Sequence, residues 1–223
     1  MTRVRIEVCV DDLAGLRQAI AGGADRIELC SRLDQDGLTP TDELLTEVAR
    51  LRTPVRAMIR PNPGPFTASS DTLALMKSQI DRCRDAGCEG VVFGLLDTKG
   101  ALDRAALAAL CEAAYGLGKT LHRAVDQLAD PRDGVAAAEA LAIDTILSSG
   151  GAETALEGLV ALQAMAAIAR NVVIMPGAGV SAENASPIAA ATATTWLHGS
   201  FRGADGVADA TQISRAKATL AGA

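Results

Sequence analysis

Aromatic side chains are scarce in this 223-residue chain, which has one Trp, one Tyr and three Phe. So few rings cannot build a platform for stacking bases. The net charge of −6 leaves no basic surplus to follow a phosphate backbone, so no nucleic-acid partner is expected. Uninterrupted apolar runs of bilayer length are missing as well, and with them any membrane span. The opening MTRVRIEVCVDD has none of the apolar core of a secretory signal. Five cysteines (Cys9, Cys30, Cys83, Cys88, Cys111) follow no disulfide framework, so reduced thiols in the cytoplasm are the expectation. No CxxC or HxxxH spacing occurs, which argues against a closed structural zinc site. The turn after the first strand candidate, VCVDDLAGL, is no GxGxxG, so no dinucleotide site is expected there.

What the chain does have is a regular alternation. Short β-branched runs are read as strands at 3–10, 25–30, 55–60, 90–94, 119–123, 145–148, 172–175 and 194–198. Helical patterns lie between them, most clearly in DTLALMKSQIDRCRDAG, where Leu73, Met76, Ile80 and Cys83 share a face. Strand–helix alternation over this length implies parallel strands with crossover helices. The closed solution is an α/β single-domain (β/α)8 TIM-type barrel over residues 1–223, with no linker or low-complexity segment.

Side chains alternate faces along a strand. With Ile6, Val8, Ile27 and Leu29 turned to the helices, Arg5, Glu7, Cys9, Arg26, Glu28 and Cys30 point into the barrel. The same rule sends Met58, Arg60, Thr120, His122, Trp196 and His198 inward. Many of these polar groups come late in their strands, at the barrel end that carries active sites. Burying charges together is costly unless they pair or bind something. One expectation is a purely structural network, with Glu7 and Glu28 neutralised by Arg60 and Arg123. Another is a catalytic pocket in which Glu7, Glu28, His122 and His198 transfer protons. Arg60 and Arg123 would then hold a small phosphorylated or carboxylated substrate. A third is a soft-metal site on Cys9 and Cys30, completed by Met58, Met175 and the histidines.

IMPGAGVSAEN and LHGSFRG follow strands seven and eight, where barrels of this kind often bind phosphate. Gly177, Gly179, Gly199 and Ser200 are therefore candidate anion contacts, through backbone N–H groups at the loop and helix start.

EVCVDD, GGADRIELCSRLDQDGLTPT, MIRPNPGPF, TLHRAVDQ, ILSSGG and IMPGAGVSAEN occur in this order, and together they resemble the CutC copper-homeostasis family from about residue 4 to about residue 202. The resemblance implies a (β/α)8 barrel, a cytoplasmic location, a homo-oligomer and copper handling through cysteine-bound Cu(I). Its cysteine motifs fall on Cys9 and Cys30. Glu7, Glu28, Arg60, His122, Arg123 and Asp126 occupy its other motif positions. Two departures stand out: ADGVADATQIS is shorter than the family's usual segment after HGSFRG, and RPNPGPF replaces a more glycine-rich loop. That second loop should be stiffer.

Overall fold

Alternation within the first strand decides which groups fill the barrel. In β1 (Arg5–Val10), Ile6, Val8 and Val10 join the apolar layer shared with the helices, while Glu7 and Cys9 lie on the other face. The computed structural model describes residues 3–221. Its other strands are β2 (Arg26–Leu29), β3 (Val55–Met58), β4 (Gly90–Phe93), β5 (Gly118–Leu121), β6 (Thr145–Ser148), β7 (Val173–Pro176) and β8 (Trp196–Gly199). The order is β7-β6-β5-β4-β3-β2-β1-β8, and every ladder is parallel. β7 and β8 stand side by side without a ladder. The Thr194 hydroxyl crosses that seam and donates to the Ile174 carbonyl at 2.6 Å.

A helix follows each strand: α1 (Leu13–Ala21), α2 (Asp42–Val48), α3 (Ser70–Asp85), α4 (Arg104–Ala113), α5 (Asp133–Ala140), α6 (Leu159–Ile168), α7 (Ala185–Thr192) and α8 (Ala210–Ala221). The fold is the expected (β/α)8 barrel. Several helices begin where a side chain accepts a free backbone N–H. Asp12 takes that of Gly15 at 2.6 Å, Ser69 that of Thr72 at 3.1 Å, and Asp103 that of Ala106 at 3.0 Å. The helices α2, α5 and α7 were not legible as periodic stripes. They have seven or eight residues each, and α5 and α7 are alanine-rich with little contrast between faces.

The lower barrel interior is charged rather than filled with branched aliphatics. Arg56 donates to Asp144 at 2.6 Å, to the Thr120 hydroxyl at 2.8 Å and to Glu89 at 3.0 Å. Arg26 pairs with Glu7 and lies 4.0 Å from the Trp196 ring centre, with Arg5 at 4.2 Å from the same ring. These groups plug one end of the cylinder. The other end stays open.

Candidate functional site

A cavity of about 520 Å³ occupies the carboxyl ends of the strands. Cys9, Glu28, Arg60, His122 and His198 line it from the strand ends, and Arg123, Gly179, Gly199 and Ser200 line its rim. Glu7, Cys30 and Gly177 are not part of the lining. Gly177 is instead closely packed: a Cβ there would stand 2.4 Å from Leu147 and 3.3 Å from His198.

His198 links the buried acids. Its Nδ1 is 3.0 Å from Glu7 Oε1, and its Nε2 is 3.6 Å from Glu28 Oε2. Burial alone would lower the imidazole pKa, but Glu28, Cys9 and Glu7 around it raise it well above the ordinary value. Burial pulls the Glu7 pKa up, yet Arg26 and His198 outweigh it and hold Glu7 at about 2. Glu28 goes the other way, raised mainly by burial and further by the Glu7 charge. Two carboxyls on neighbouring strands thus differ in character, as an acid–base pair requires. Glu28 Oε2 is the oxygen near His198 and the Cys30 thiol; Oε1 has no hydrogen-bond partner.

Arg60, just after β3, and His122, just after β5, continue the lining. Sequence reasoning paired Arg60 and Arg123 with the two glutamates, and this is corrected: Glu7 pairs with Arg26, which β1–β2 register places opposite it. Arg60 instead donates to the carbonyls of Gln35 at 2.7 Å, Gly37 at 3.1 Å and Gly64 at 3.0 Å. Among the described residues it has no carboxylate in ion-pair contact, and its Nε is buried without a partner. β5 ends at Leu121, so His122 caps the 3₁₀ turn Arg123–Gln127, where its Nδ1 accepts the Ala124 N–H at 3.1 Å. A neutral ring that accepts at Nδ1 carries its proton on Nε2. Burial, helped by the Arg60 charge, lowers the His122 pKa to about 3. Nε2 is buried and unpartnered. Gly94 makes room for this ring, since a Cβ there would lie 2.5 Å from it.

The rim beyond is organised by Asp126. It accepts from the Ser148 hydroxyl at 2.5 Å, from Ser149 N at 3.0 Å and from Gly151 N at 3.2 Å, which ties down the SSGG loop. Arg123 donates to Asp126 at 2.9 Å and to the Ser149 hydroxyl at 3.2 Å. Phe66 was missed as a site residue. It lies in the loop after β3, its ring 4.7 Å from His122 and 5.0 Å from the Arg60 guanidinium.

The CutC family model matches residues 4–203, nearly the whole chain. The chain belongs to the CutC family. A family protein CutC of Agrobacterium fabrum is 43% identical over 87% of this chain and 78% of its own length. One from Caulobacter vibrioides is 44% identical over 90% of this chain and 82% of its own. The crystal structure of a CutC from Streptococcus agalactiae, named for copper homeostasis, superposes with a TM-score of 0.83 at 28% identity, covering 88% of this chain and 98% of that one. A phosphoribosylanthranilate isomerase from Pyrococcus furiosus, 11% identical with a TM-score of 0.66, covers 99% of this chain and 100% of its own, and shares the fold alone. The segment after β8, short beside the family's pattern, folds as a tight turn closed by the Arg202–Ala208 bridge.

The thiols of the family's motifs occupy different surroundings. Cys9 Sγ, a Glu28 oxygen and a His198 nitrogen all lie within 4.8 Å of one another. Cys30 stands outside that group and points to Glu28 Oε2 at 3.6 Å, packed with Met58 and Val92. Burial pushes its thiol pKa well up, and the Glu28 charge adds to this. Such a cysteine stays protonated and packs as a small apolar group.

Proposed function

We propose that the cavity binds a small anionic molecule and performs acid–base chemistry on it. Arg60 anchors the anion and Glu28 exchanges the proton. One observation carries the reading: Glu28 Oε1, Arg60 Nε and His122 Nε2 are all buried without a hydrogen-bond partner, and their residues line one cavity. An unsatisfied buried polar group costs about 1–3 kcal/mol, and native proteins keep few of them. The arginine, caged by carbonyls and free of carboxylates, is a fixed positive charge for a phosphate or carboxylate group. Arg123, Gly179, Gly199 and Ser200 supply further donors at the rim. Glu7 positions His198, which in turn sets the ionisation of Glu28.

Thermal unfolding with inorganic phosphate and a panel of phosphorylated and carboxylated metabolites tests this. A ligand at one hundred times its Kd stabilises the wild type by about 2.7 kcal/mol. Arg60→Met is expected to lose most of that gain. No stabilisation by any anion would reject the reading.

The Cys9, Glu28 and His198 group favours a second reading, copper binding, in line with the name of the Streptococcus agalactiae relative. A carboxylate on the far nitrogen, here Glu7 on Nδ1, is the usual support of a metal-binding imidazole. One thiol, one imidazole and one carboxylate suit a borderline divalent ion better than Cu(I), which selects sulfur-rich sets. The expected outcome is a site that depends on Cys9 and not on Cys30. Anaerobic copper titrations of wild type, Cys9→Ser and Cys30→Ser check it. Equal loss in both variants would restore the two-thiol site. Metal competes with the His198 proton, so affinity should fall as pH is lowered. Both readings are placed in the cytoplasm, where these thiols stay reduced. No helix among the described residues is long and apolar enough to cross a membrane.

A further inference from the structure

Resting on the anion-pocket reading, we propose that the substrate is a small anionic carbonyl compound with a C–H bond beside the carbonyl, and that the pocket enolises it. The three unpartnered atoms are of two kinds. Glu28 Oε1 is a proton acceptor, whereas His122 Nε2–H and Arg60 Nε–H are donors. The acceptor rises from β2 and His122 from the end of β5, with β3 and β4 between them on the ring, so the cavity separates the base from His122, and Arg60, just after β3, stands between them in strand order. Enolisation needs this arrangement: a base for the carbon-bound proton, and fixed donors where charge develops on oxygen.

The donors are set in advance. The Ala124 N–H holds His122 Nδ1 at 3.1 Å, so only Nε2 presents hydrogen, and three carbonyls fix the Arg60 guanidinium. The Phe66 ring packs against both, its centre 4.7 Å from the His122 ring and 5.0 Å from the Arg60 guanidinium.

The step balances without a co-reactant. Glu28 Oε1 takes the proton from carbon; the C–H bond breaks and an O–H bond forms on the carboxyl. The C–H electron pair becomes the C=C bond, and the carbonyl π pair moves to oxygen, which accepts from His122 while Arg60 holds the anionic group. Returning the proton to carbon reverses the step. His198, held by Glu7, positions Glu28 through Oε2 and leaves Oε1 free.

Deuterium incorporation from D₂O, followed by proton NMR, is the test. The probes are dihydroxyacetone phosphate and 2-oxobutyrate, which separate a phosphate-bearing from a carboxylate-bearing substrate. The wild type is expected to exchange the hydrogen next to the carbonyl in one of them. Glu28→Gln should slow exchange at least ~100-fold, and His122→Gln about 100-fold. Should Glu28→Gln fail to fold, Glu28→Asp replaces it, with slowed but measurable exchange expected. Exchange that persists undiminished without the Glu28 carboxylate would overturn the proposal. So would absence of exchange in both probes while phosphate still stabilises the wild type, an outcome that leaves the anion pocket standing. Absence of exchange together with absence of any anion binding would remove both.

Discussion

Alanine in place of Glu7 is expected to lower the unfolding free energy by about 3–5 kcal/mol. The carboxylate is fully buried between Arg26 and His198, and its removal strands a buried guanidinium over the Trp196 ring. Nothing else among the described residues is in ion-pair contact with Arg26. Urea denaturation of the full chain measures the loss; a change below about 1 kcal/mol would show that the pair is not a central support. The same group dictates part of the acid response. Glu7 has a pKa of about 2 in the fold against an ordinary 4.5, so its contribution is fully present above pH 4.5. It is lost as pH falls from there toward 2, and amounts to about 3 kcal/mol.

Asparagine in place of His122 should remove a different part of that response. The folded chain refuses this proton down to about pH 3, whereas an exposed imidazole accepts it near 6.5. The unfolded state therefore binds more protons in that window, and stability falls as pH drops through it. Between pH 7 and pH 5 the cost is about 2 kcal/mol. Glu7 adds little over this range, and the protonated His198 contributes almost constantly below pH 6.5. Glu28, whose raised pKa costs stability as pH climbs, affects both chains alike. On going from pH 7 to pH 5 the wild type should therefore lose about 2 kcal/mol relative to His122→Asn, read from urea midpoints of both chains at the two pH values. Equal pH dependence would place a charged imidazole at position 122.

The ring of strands and the faces of its side chains were legible because alternation in RIEVCV and RIELC is a property of each segment alone. That is why Glu7, Glu28 and Cys9 were expected inside, and they are there. Pairing was not legible, because it depends on register between strands. Glu7 stands opposite Arg26, and no local pattern states this. Nor does any pattern reveal that loop carbonyls from Gln35, Gly37 and Gly64 would cage Arg60 and leave it without an acid. Arg123 was read as the end of a strand, but the turn that begins at His122 swings it to the rim beside Asp126. The spacing Glu-x-Cys made Cys9 and Cys30 look equivalent; a loop carrying Gly37, whose Cβ would sit 3.3 Å from Cys30 Sγ, covers only the second.

The side-chain N–H signals of Arg60 and His122 give the most direct test of the anion pocket. In a ¹H–¹⁵N NMR titration with inorganic phosphate, the Arg60 Nε–H and His122 Nε2–H resonances should both move and saturate together with the thermal stabilisation. Phosphate that binds and stabilises the chain while leaving both resonances in place would contradict the account.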